Sequence, residues 1–314
     1  MDDSLKPLLS VITSYYKGEK YLNGYLSDIR NQTIFDLIEI LLILNEPNEE
    51  EISIIHDFNQ KNNNKINLVV VPKVEKLSQS WNRGCRLAKG EYLAIWNIDD
   101  RRTPNSLENQ IKTLKINSDV HLAYGDYLLV PNSLEKIGEY IQTKPFSKWR
   151  FRNGYQTGGG FLVFRNNIIE KIGEFDEQLY CAVDFDFEQR IILSGLKMAK
   201  TEGLLGYFTD EGLGLSTKYG SELSEFEQMF VRFRYGIFHK VKWEYVNKIK
   251  NYKSDSILTQ GKWIPIEKYI NGYHRYLILN SHKKIINIIW NLVRKIFIKL
   301  GWLDTYQELM RKYF

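Results

Sequence analysis

An amide and two carboxylates stand directly after an apolar run in the first third of the chain. Residues 92–96 predict a buried strand, and Asn97-Ile98-Asp99-Asp100 follows at once. Asn97 and Asp99 offer oxygen atoms of the kind that a hard divalent cation binds, and open α/β sheets bind ligands at the carboxyl ends of their strands. Asn and Asp also favour turns, so a capped loop without a ligand is the alternative.

A second acidic pair, Asp184 and Asp186, lies further along the chain among aromatic residues. Neighbours such as Phe185 and Phe187 would partly desolvate a carboxylate, which raises its pKa toward the value that suits a general base. Capping of the helix predicted over residues 187–193 would account for one of the two aspartates without any chemistry.

Alternating strands and helices predict how these groups are positioned. Buried strands are predicted over residues 8–13, 38–44, 66–71 and 92–96, with helices over residues 49–58 and 80–88. This alternation indicates an α/β fold in which parallel strands are joined by right-handed crossovers. One edge of the sheet would then collect the polar residues at the strand ends, namely Thr13, Asn45, Glu46, Asn97 and Asp99.

Three consecutive glycines, Gly158, Gly159 and Gly160, precede a strand predicted over residues 161–164. Because glycines cost chain entropy on ordering, such a run is typical of a close approach between the backbone and other backbone or a ligand. It matches neither a Walker loop nor a dinucleotide-binding pattern. The aromatic, irregular residues 132–153 before it are either a lid over a ligand or, as we favour, a surface connection.

The composition is that of a folded globular protein. Of 314 residues, 43% are hydrophobic and 26% are charged, which excludes a disordered chain. The two cysteines, Cys85 and Cys181, lie far apart and the five histidines are scattered, so neither a disulfide framework nor a zinc site is expected. No secretion signal follows the acidic first residues, and we expect a cytoplasmic location.

The formal net charge of +5 resides in the tail of the chain. From Lys283 onward, seven Lys and Arg residues oppose two acidic ones, and they flank an apolar face over residues 285–300. This pattern is typical of a helix lying at a membrane surface and is too interrupted by charge to span one. A helix packed on the domain or on a second subunit is the alternative, which leaves a homo-oligomer open. Nucleic-acid binding is not favoured.

A set of segments in fixed order resembles the family 2 glycosyltransferases of GT-A fold. The segments are Ser10-Val11-Ile12-Thr13, Asn82-Arg83-Gly84, Ala88-Lys89-Gly90-Glu91-Tyr92, Asn97-Ile98-Asp99-Asp100, Gly173-Glu174-Phe175-Asp176-Glu177 and Asp184-Phe185-Asp186. The resemblance spans residues 7–218. It implies a Rossmann-like, mixed but mainly parallel sheet flanked by helices over residues 1–221, and residues 222–314 would form a helical, basic and apolar extension.

The resemblance also implies an activity. A sugar would pass with inversion from a nucleoside diphosphate sugar, with a UDP-sugar favoured, to a glycan or lipid-linked acceptor of a bacterial surface polysaccharide, with help from Mg²⁺ or Mn²⁺. By position, Asp184 is implied as the general base and Asp99 as the metal contact. The implied donor contacts are Thr13, Ser14, Tyr15, Glu46, Asn82, Asn97 and Asp99. The residues implied near the acceptor or behind the site are Gly158, Gly159, Gly160, Asp100, Asp186 and Arg190.

Three positions depart from the family pattern. Asn97 stands where an aspartate is usual, and Val183 stands where a glutamate often precedes the base. No arginine stands before Asn82, so a diphosphate contact is expected from Arg83 or Arg101. Two alternatives remain: a catalytically silent relative that acts as a binding or assembly partner, and a nucleotidyltransferase of similar fold. The second lacks a Gly-rich triphosphate loop after the first strand.

Overall fold

A computed structural model describes residues 6–158, 160–212, 214, 222–278, 281, 295–296 and 299–300. Its strands are β1 (Leu9–Tyr16), β2 (Ile38–Asn45), β3 (Ile66–Val71), β4 (Tyr92–Ile95), β5 (Arg101–Arg102), β6 (Val120–Val130), β7 (Glu139–Ile141), β8 (Val163–Arg165), β9 (Lys197–Thr209), β10 (Ser256–Thr259) and β11 (Lys262–Pro265). Its helices are α1 (Glu19–Arg30), α2 (Glu49–Lys61), α3 (Leu77–Leu87), α4 (Ser106–Ile116), α5 (Lys148–Arg152), α6 (Ile168–Ile172), α7 (Val183–Leu193), α8 (Glu222–Arg234) and α9 (Val246–Ile249).

One mixed sheet contains nine of the strands described above, and β10 and β11 form a separate hairpin. The order across the sheet is β3-β2-β1-β4-β8-β6-β9-β5, and β7 pairs with β6. The first four strands run parallel, as the βαβ pattern predicts. β8 then runs antiparallel between β4 and β6, and β6 and β9 are parallel to each other. This architecture confirms the predicted mixed α/β sheet.

Helices cover both faces of the sheet, which explains why its central strands read as continuous apolar runs. All eight residues of β2 are buried. Successive residues of β1 point to opposite faces, so Val11 joins one apolar cluster with Leu22 of α1, and Ile12 joins the other with Phe187 of α7. The two apolar clusters therefore hold the ends of the strands in fixed positions.

The structure differs from the sequence prediction at several elements around the site. β1 continues to Tyr16, so Thr13 lies inside the strand rather than after it. The sequence also predicts two shorter strands, over residues 121–124 and 127–130, where the structure has the single strand β6, and it predicts no strand at β9. α7 begins at Val183, four residues before the predicted start, because acidic residues in its first turn favour a helix N-terminus.

Residues 222–278 pack directly on the preceding domain. Phe226 and Phe230 of α8 belong to the same apolar cluster as Phe185 and Phe187 of α7. The domain boundary predicted at residue 221 stays a prediction. The predicted tail helix over residues 285–300 lies almost wholly outside the described residues. Within the part of the chain that is described, no helix is long and apolar enough to cross a membrane.

Candidate active site

The loop after β4 is built around the buried carboxylate of Asp100. Its Oδ2 accepts a hydrogen bond from Asn97 Nδ2 at 3.1 Å, and its Oδ1 accepts one from the Thr209 N–H at 3.2 Å. The Trp96 indole donates to the Asp100 carbonyl at 3.0 Å, and the Thr209 hydroxyl donates to the Asp99 carbonyl at 2.6 Å. Burial raises the pKa of Asp100 well above its ordinary value, and the Asp99 charge adds to this. Asp100 thus fixes the loop on β9.

Two other side chains of this loop, Asn97 and Asp99, have oxygen atoms that could bind a cation. Asn97 Oδ1 is buried and accepts no hydrogen bond from the described residues. Burial also raises the pKa of Asp99, and the charge of Glu211 adds to the rise, while a backbone hydrogen bond and the charge of Lys20 oppose it. A buried oxygen without a donor and a nearby carboxylate without an ion-pair partner among the described residues suit a divalent cation, so Asn97 and Asp99 fit the predicted metal role.

The described residues form no complete metal site around Asp99. These residues contain no group of three or more His, Cys, Asp or Glu side chains that could hold one. An ion at Asp99 would therefore take its remaining ligands from water or from a bound phosphate, which is the usual arrangement for Mg²⁺ on phosphate substrates.

Asp184 lies half-buried in the first turn of α7, and no cation of the described chain pairs with it. Its Oδ1 accepts a hydrogen bond from the Phe185 N–H at 2.8 Å. Burial raises the pKa of Asp184 to about 6, because it outweighs the opposing effect of this hydrogen bond. A carboxylate with this pKa is ionised at neutral pH and is a better proton acceptor than an ordinary aspartate. Asp184 therefore has the electrostatics that a general base needs.

Asp186 lies on a different side of α7, in a buried ion network. Its Oδ2 accepts a hydrogen bond from Arg190 Nε at 2.9 Å. Its Oδ1 accepts hydrogen bonds from Arg234 Nη1 at 2.6 Å and from the Tyr235 hydroxyl at 2.8 Å. Arg234 pairs in addition with Asp176 at 2.8 Å. Asp186 and Arg190, predicted near the acceptor or behind the site, lie inside the protein, where they join α7 to α8.

The glycine segment passes closely between the acidic loop and the strand β6. A Cβ atom on Gly160 would lie 3.1 Å from Asp100 Oδ2, and one on Gly158 would overlap the Tyr127 hydroxyl. Gly158 also has a φ of +83°, which glycine adopts without strain. Gly159 lies outside the described residues. At both described glycines the backbone makes the close approach that the sequence indicates.

Tyr127 in β6 lies beside the glycine segment, and the sequence gives no signal for it. Its ring packs against Phe161 and Phe208, with centroid distances of 5.7 and 6.0 Å. Burial raises the pKa of Tyr127 to about 12, and Tyr155 and the charges of Asp100 and Asp184 contribute to the rise. Its hydroxyl borders Gly158, two residues before the glycine that borders Asp100.

Glu188 is a further buried acid, one turn after Asp184 in α7. The Thr157 hydroxyl donates to its Oε1, and the Thr157 N–H donates to its Oε2 at 3.4 Å. Burial raises the pKa of Glu188 to about 8, and the charge of Asp184 adds to the rise. At neutral pH, Glu188 is therefore mostly protonated while Asp184 is ionised. Residues four apart in a helix lie on the same face, so a predicted helix that included both Asp184 and Glu188 would have revealed this pair. The helix predicted over residues 187–193 does not include Asp184.

Of the predicted donor contacts on β1 and β2, Ser14 and Glu46 are accessible. Glu46 directly follows β2 and has a φ of +51°, which is uncommon for a residue other than glycine. Thr13 and Tyr15 are fully buried. The Thr13 hydroxyl lies 2.7 Å from a tyrosine hydroxyl of α1, and the Tyr15 hydroxyl donates to Glu51. A ligand could reach these two side chains only if those bonds opened.

Asn82 and the two arginines considered for the diphosphate already have protein partners. Asn82 Oδ1 accepts a hydrogen bond from the Phe175 N–H at 2.8 Å, and its Nδ2 donates to the Phe175 carbonyl at 2.9 Å. These two hydrogen bonds connect α3 to the loop that precedes α7. Arg83 and Arg101 each form an ion pair with a carboxylate, Glu75 and Asp28 respectively.

Comparison with known sequences identifies relatives of this chain. A family model described as Glycosyl transferase family 2 matches residues 10–173, about half of the chain. A protein of Methanocaldococcus jannaschii, named uncharacterized glycosyltransferase MJ1057, is 28% identical over 207 residues, or 64% of this chain and 70% of that protein. An uncharacterized glycosyltransferase of Haemophilus influenzae is 32% identical over 145 residues, which cover 44% of this chain and less than half, 42%, of that relative.

Solved structures of similar fold extend over nearly the whole chain. S. aureus TarS 1-349 in complex with UDP-GlcNAc has a TM-score of 0.60 at 14% identity and covers 97% of this chain and 91% of its own. The mannosyltransferase PcManGT of Pyrobaculum calidifontis, in complex with GDP-Man and Mn²⁺, has a TM-score of 0.54 at 14% identity, with coverage of 98% and 86%. At these identities the likeness concerns the fold, and it confirms the predicted GT-A architecture.

Proposed function

Since this chain belongs to glycosyl transferase family 2, we propose that it transfers a sugar, with inversion, from a nucleoside diphosphate sugar to a hydroxyl of a glycan or lipid-linked acceptor. The observation that carries this proposal is Asp184, a half-buried carboxylate that pairs with no cation of the described residues and whose pKa is raised to about 6. One base is sufficient for inversion in a single displacement, whereas an inverting hydrolase needs an acid and a base around a bound water.

In the proposed reaction, Asp184 accepts the proton of the acceptor hydroxyl. The acceptor oxygen forms a bond to the anomeric carbon of the donor sugar, while the bond from that carbon to the diphosphate breaks and the nucleoside diphosphate leaves with the electron pair. Glu188 supports this step as a positioning residue, because its hydrogen bonds to Thr157 hold the glycine segment beside the base.

Asp99 and Asn97 are the residues that we propose to hold Mg²⁺ or Mn²⁺ at the donor diphosphate. The unpartnered Asn97 Oδ1 and the desolvated Asp99 carboxylate support this assignment. A cation bound there would neutralise charge on the departing diphosphate. The PcManGT complex, which holds GDP-Man and Mn²⁺ on a similar fold, agrees with such a site.

A UDP-sugar is the proposed donor. TarS has been crystallised with UDP-GlcNAc and with UDP, and it resembles almost the whole of this chain. Glu46 and Ser14 are the proposed nucleoside contacts. Both are accessible, and both lie at the end of the sheet that carries the acidic loop. The left-handed backbone of Glu46 supports this role, since strained residues cluster at binding sites.

Titration calorimetry with UDP-GlcNAc, GDP-mannose and dTDP-glucose, each with and without Mn²⁺, tests the proposal. We expect one donor to bind in a Mn²⁺-dependent manner and its affinity to fall by about tenfold or more in Asp99→Asn. Asp57→Asn, at an exposed position of α2, is the control and should bind like the wild type. Binding that is insensitive to both Mn²⁺ and Asp99→Asn would contradict the metal site. Failure of all three donors to bind would favour the silent-relative alternative.

The basic and apolar tail gives the proposed location. We propose that residues 283–314 bring the enzyme to anionic membrane surfaces, where a lipid-linked acceptor for surface polysaccharide synthesis would lie. Deletion of these residues should release the protein from vesicles that contain anionic lipid, as measured by co-sedimentation. Equal sedimentation of the full-length and truncated proteins would contradict the membrane role.

A further inference from the structure

A cavity of about 630 Å³ opens beside the glycine segment, between α5 with its following turn and residues 239–240. Trp149 and Tyr155 provide aromatic surface there, and Arg150 and Lys240 provide positive charge. The Trp149 side chain is 76% exposed. None of the described residues that line the cavity is acidic, so the positive charge is not compensated within its walls.

Behind this cavity lies Arg232 of α8, whose guanidinium is incompletely neutralised. Its Nη2 donates to Gln228 Oε1 at 3.3 Å. Its Nε and Nη1 are buried and have no hydrogen-bond partner among the described residues. Burial lowers the pKa of Arg232, and the charge of Glu225 opposes this without an ion pair between the two. A desolvated cation with unused donors is a strong attractor for an anion.

Arg232 lies behind the cavity wall and beside the residue that follows the candidate base. A Cβ atom on Gly154, which lines the cavity, would be 3.7 Å from Arg232 Nε and 3.5 Å from Ile237 Cγ2, so Gly154 and the Ile237 side chain lie next to Arg232 at the wall. On its other side, the guanidinium carbon of Arg232 lies 5.4 Å from the ring centroid of Phe185, the residue after Asp184. Arg232 thus connects the cavity wall to the end of α7 that carries the candidate base.

We propose that this cavity binds the acceptor through a phosphate group carried on a sugar. Trp149 and Tyr155 would pack on the faces of the sugar ring, and Arg150 and Lys240 would face the phosphate. The positive charge of Arg232, behind the wall, would add to the attraction. Arginine favours phosphate because its planar fork of N–H groups matches the phosphate oxygens. The inference rests on the proposed transferase function and adds the chemical class of its acceptor.

Calorimetry on the full-length chain with glucose 6-phosphate, glucose, glucuronic acid and inorganic phosphate tests this inference, with and without UDP. Glucose 6-phosphate should bind about tenfold or more tightly than each of the other three, and UDP should not displace it. Its affinity should fall about tenfold in Arg232→Gln and in Trp149→Ala, the second of which changes an exposed side chain and preserves folding. Lys248→Gln, at an exposed lysine outside the cavity, is the matched control.

The outcomes separate this inference from the proposed function. If nucleotide sugars bind but glucose 6-phosphate does not, or binds equally well to both variants, the acceptor inference is overturned and the transferase proposal stands. If glucose 6-phosphate binds with the expected dependence and no nucleotide sugar binds, the transferase proposal fails and the anion site stands. Equal binding of glucuronic acid would contradict the preference for phosphate, and equal binding of inorganic phosphate would contradict recognition of the sugar.

Discussion

Replacing Asp184 with asparagine should abolish sugar transfer and, at the same time, make the protein more stable. Asparagine keeps the size of the side chain and an Oδ1 that can accept the 2.8 Å hydrogen bond from the Phe185 N–H. It cannot accept the proton of an acceptor hydroxyl. Because burial raises the pKa of Asp184 from 3.8 to about 6, the folded protein bears a cost for ionising this group at neutral pH, and asparagine removes that cost.

The size and sign of the stability change follow from proton linkage. The folded state binds this proton more tightly than the unfolded state, so the associated stability is complete below pH 3.8 and is lost as the pH rises through about 6. A shift of about two pKa units corresponds to about 3 kcal/mol. We therefore expect Asp184→Asn to gain about 1–3 kcal/mol in free energy of unfolding near pH 8, and about half of that gain near pH 5.

Urea unfolding followed by tryptophan fluorescence measures the stability, and release of nucleoside diphosphate measures the activity. The wild-type kcat/KM should fall about tenfold per pH unit below about pH 6, where Asp184 becomes protonated. Asp57→Asn should leave both quantities unchanged, because that carboxylate is exposed. A loss of stability in Asp184→Asn would show that the carboxylate is stabilised by a partner. Retained transfer would remove Asp184 from the role of base.

Four further substitutions test the surroundings of the base. Gly158→Ala and Gly195→Ala both place a side chain at positive φ, +83° and +88°, so both should lower the melting temperature. Only the alanine at position 158 would overlap another side chain, that of Tyr127, so only Gly158→Ala should also lose transfer activity. Asp186→Asn should lower the free energy of unfolding in urea by about 3–5 kcal/mol, since it leaves the buried Arg234 underpaired, and a change below about 1 kcal/mol would contradict this. Glu188→Gln should remove any change in kcat/KM centred near pH 8 while the acidic limb near pH 6 persists, and an unchanged alkaline limb would exclude Glu188 as its source.

The parallel half of the sheet could be predicted because its strands are buried on both faces and therefore read as short apolar runs. Residues 66–71 have the same bounds in the prediction and in the structure. β9 escaped prediction because Lys197–Thr209 mixes lysines, glycines and apolar residues without clear alternation. Its place in the sheet comes from pairing with β6, which is remote in sequence, and no local pattern encodes such pairing.

The same distinction between local and remote determinants holds for the candidate site. The acidic loop follows directly from a strand that ends in polar residues, so it is visible in the sequence. Tyr127 and Glu188 belong to the site only because β6 lies near β4 across β8 and because α7 begins at Val183. The position of Tyr127 beside the glycine segment follows from strand order, which the residues around Tyr127 do not specify.

The partners of each charge separate the structural residues from the functional ones, and the sequence does not contain this information. Burial alone would raise the pKa of Asp186, but Arg190 and Arg234 lower it overall, so its charge serves the packing of α7 on α8. Asp184 has no such partner among the described residues, and its burial therefore destabilises the fold; a protein tolerates that cost where the charge has a chemical use. The same reasoning applies to cations. The two arginines considered for the diphosphate are paired with carboxylates. Arg232 instead has donors without a partner in the described part of the chain and lies behind the wall of a cavity, where we expect an anionic acceptor group to bind.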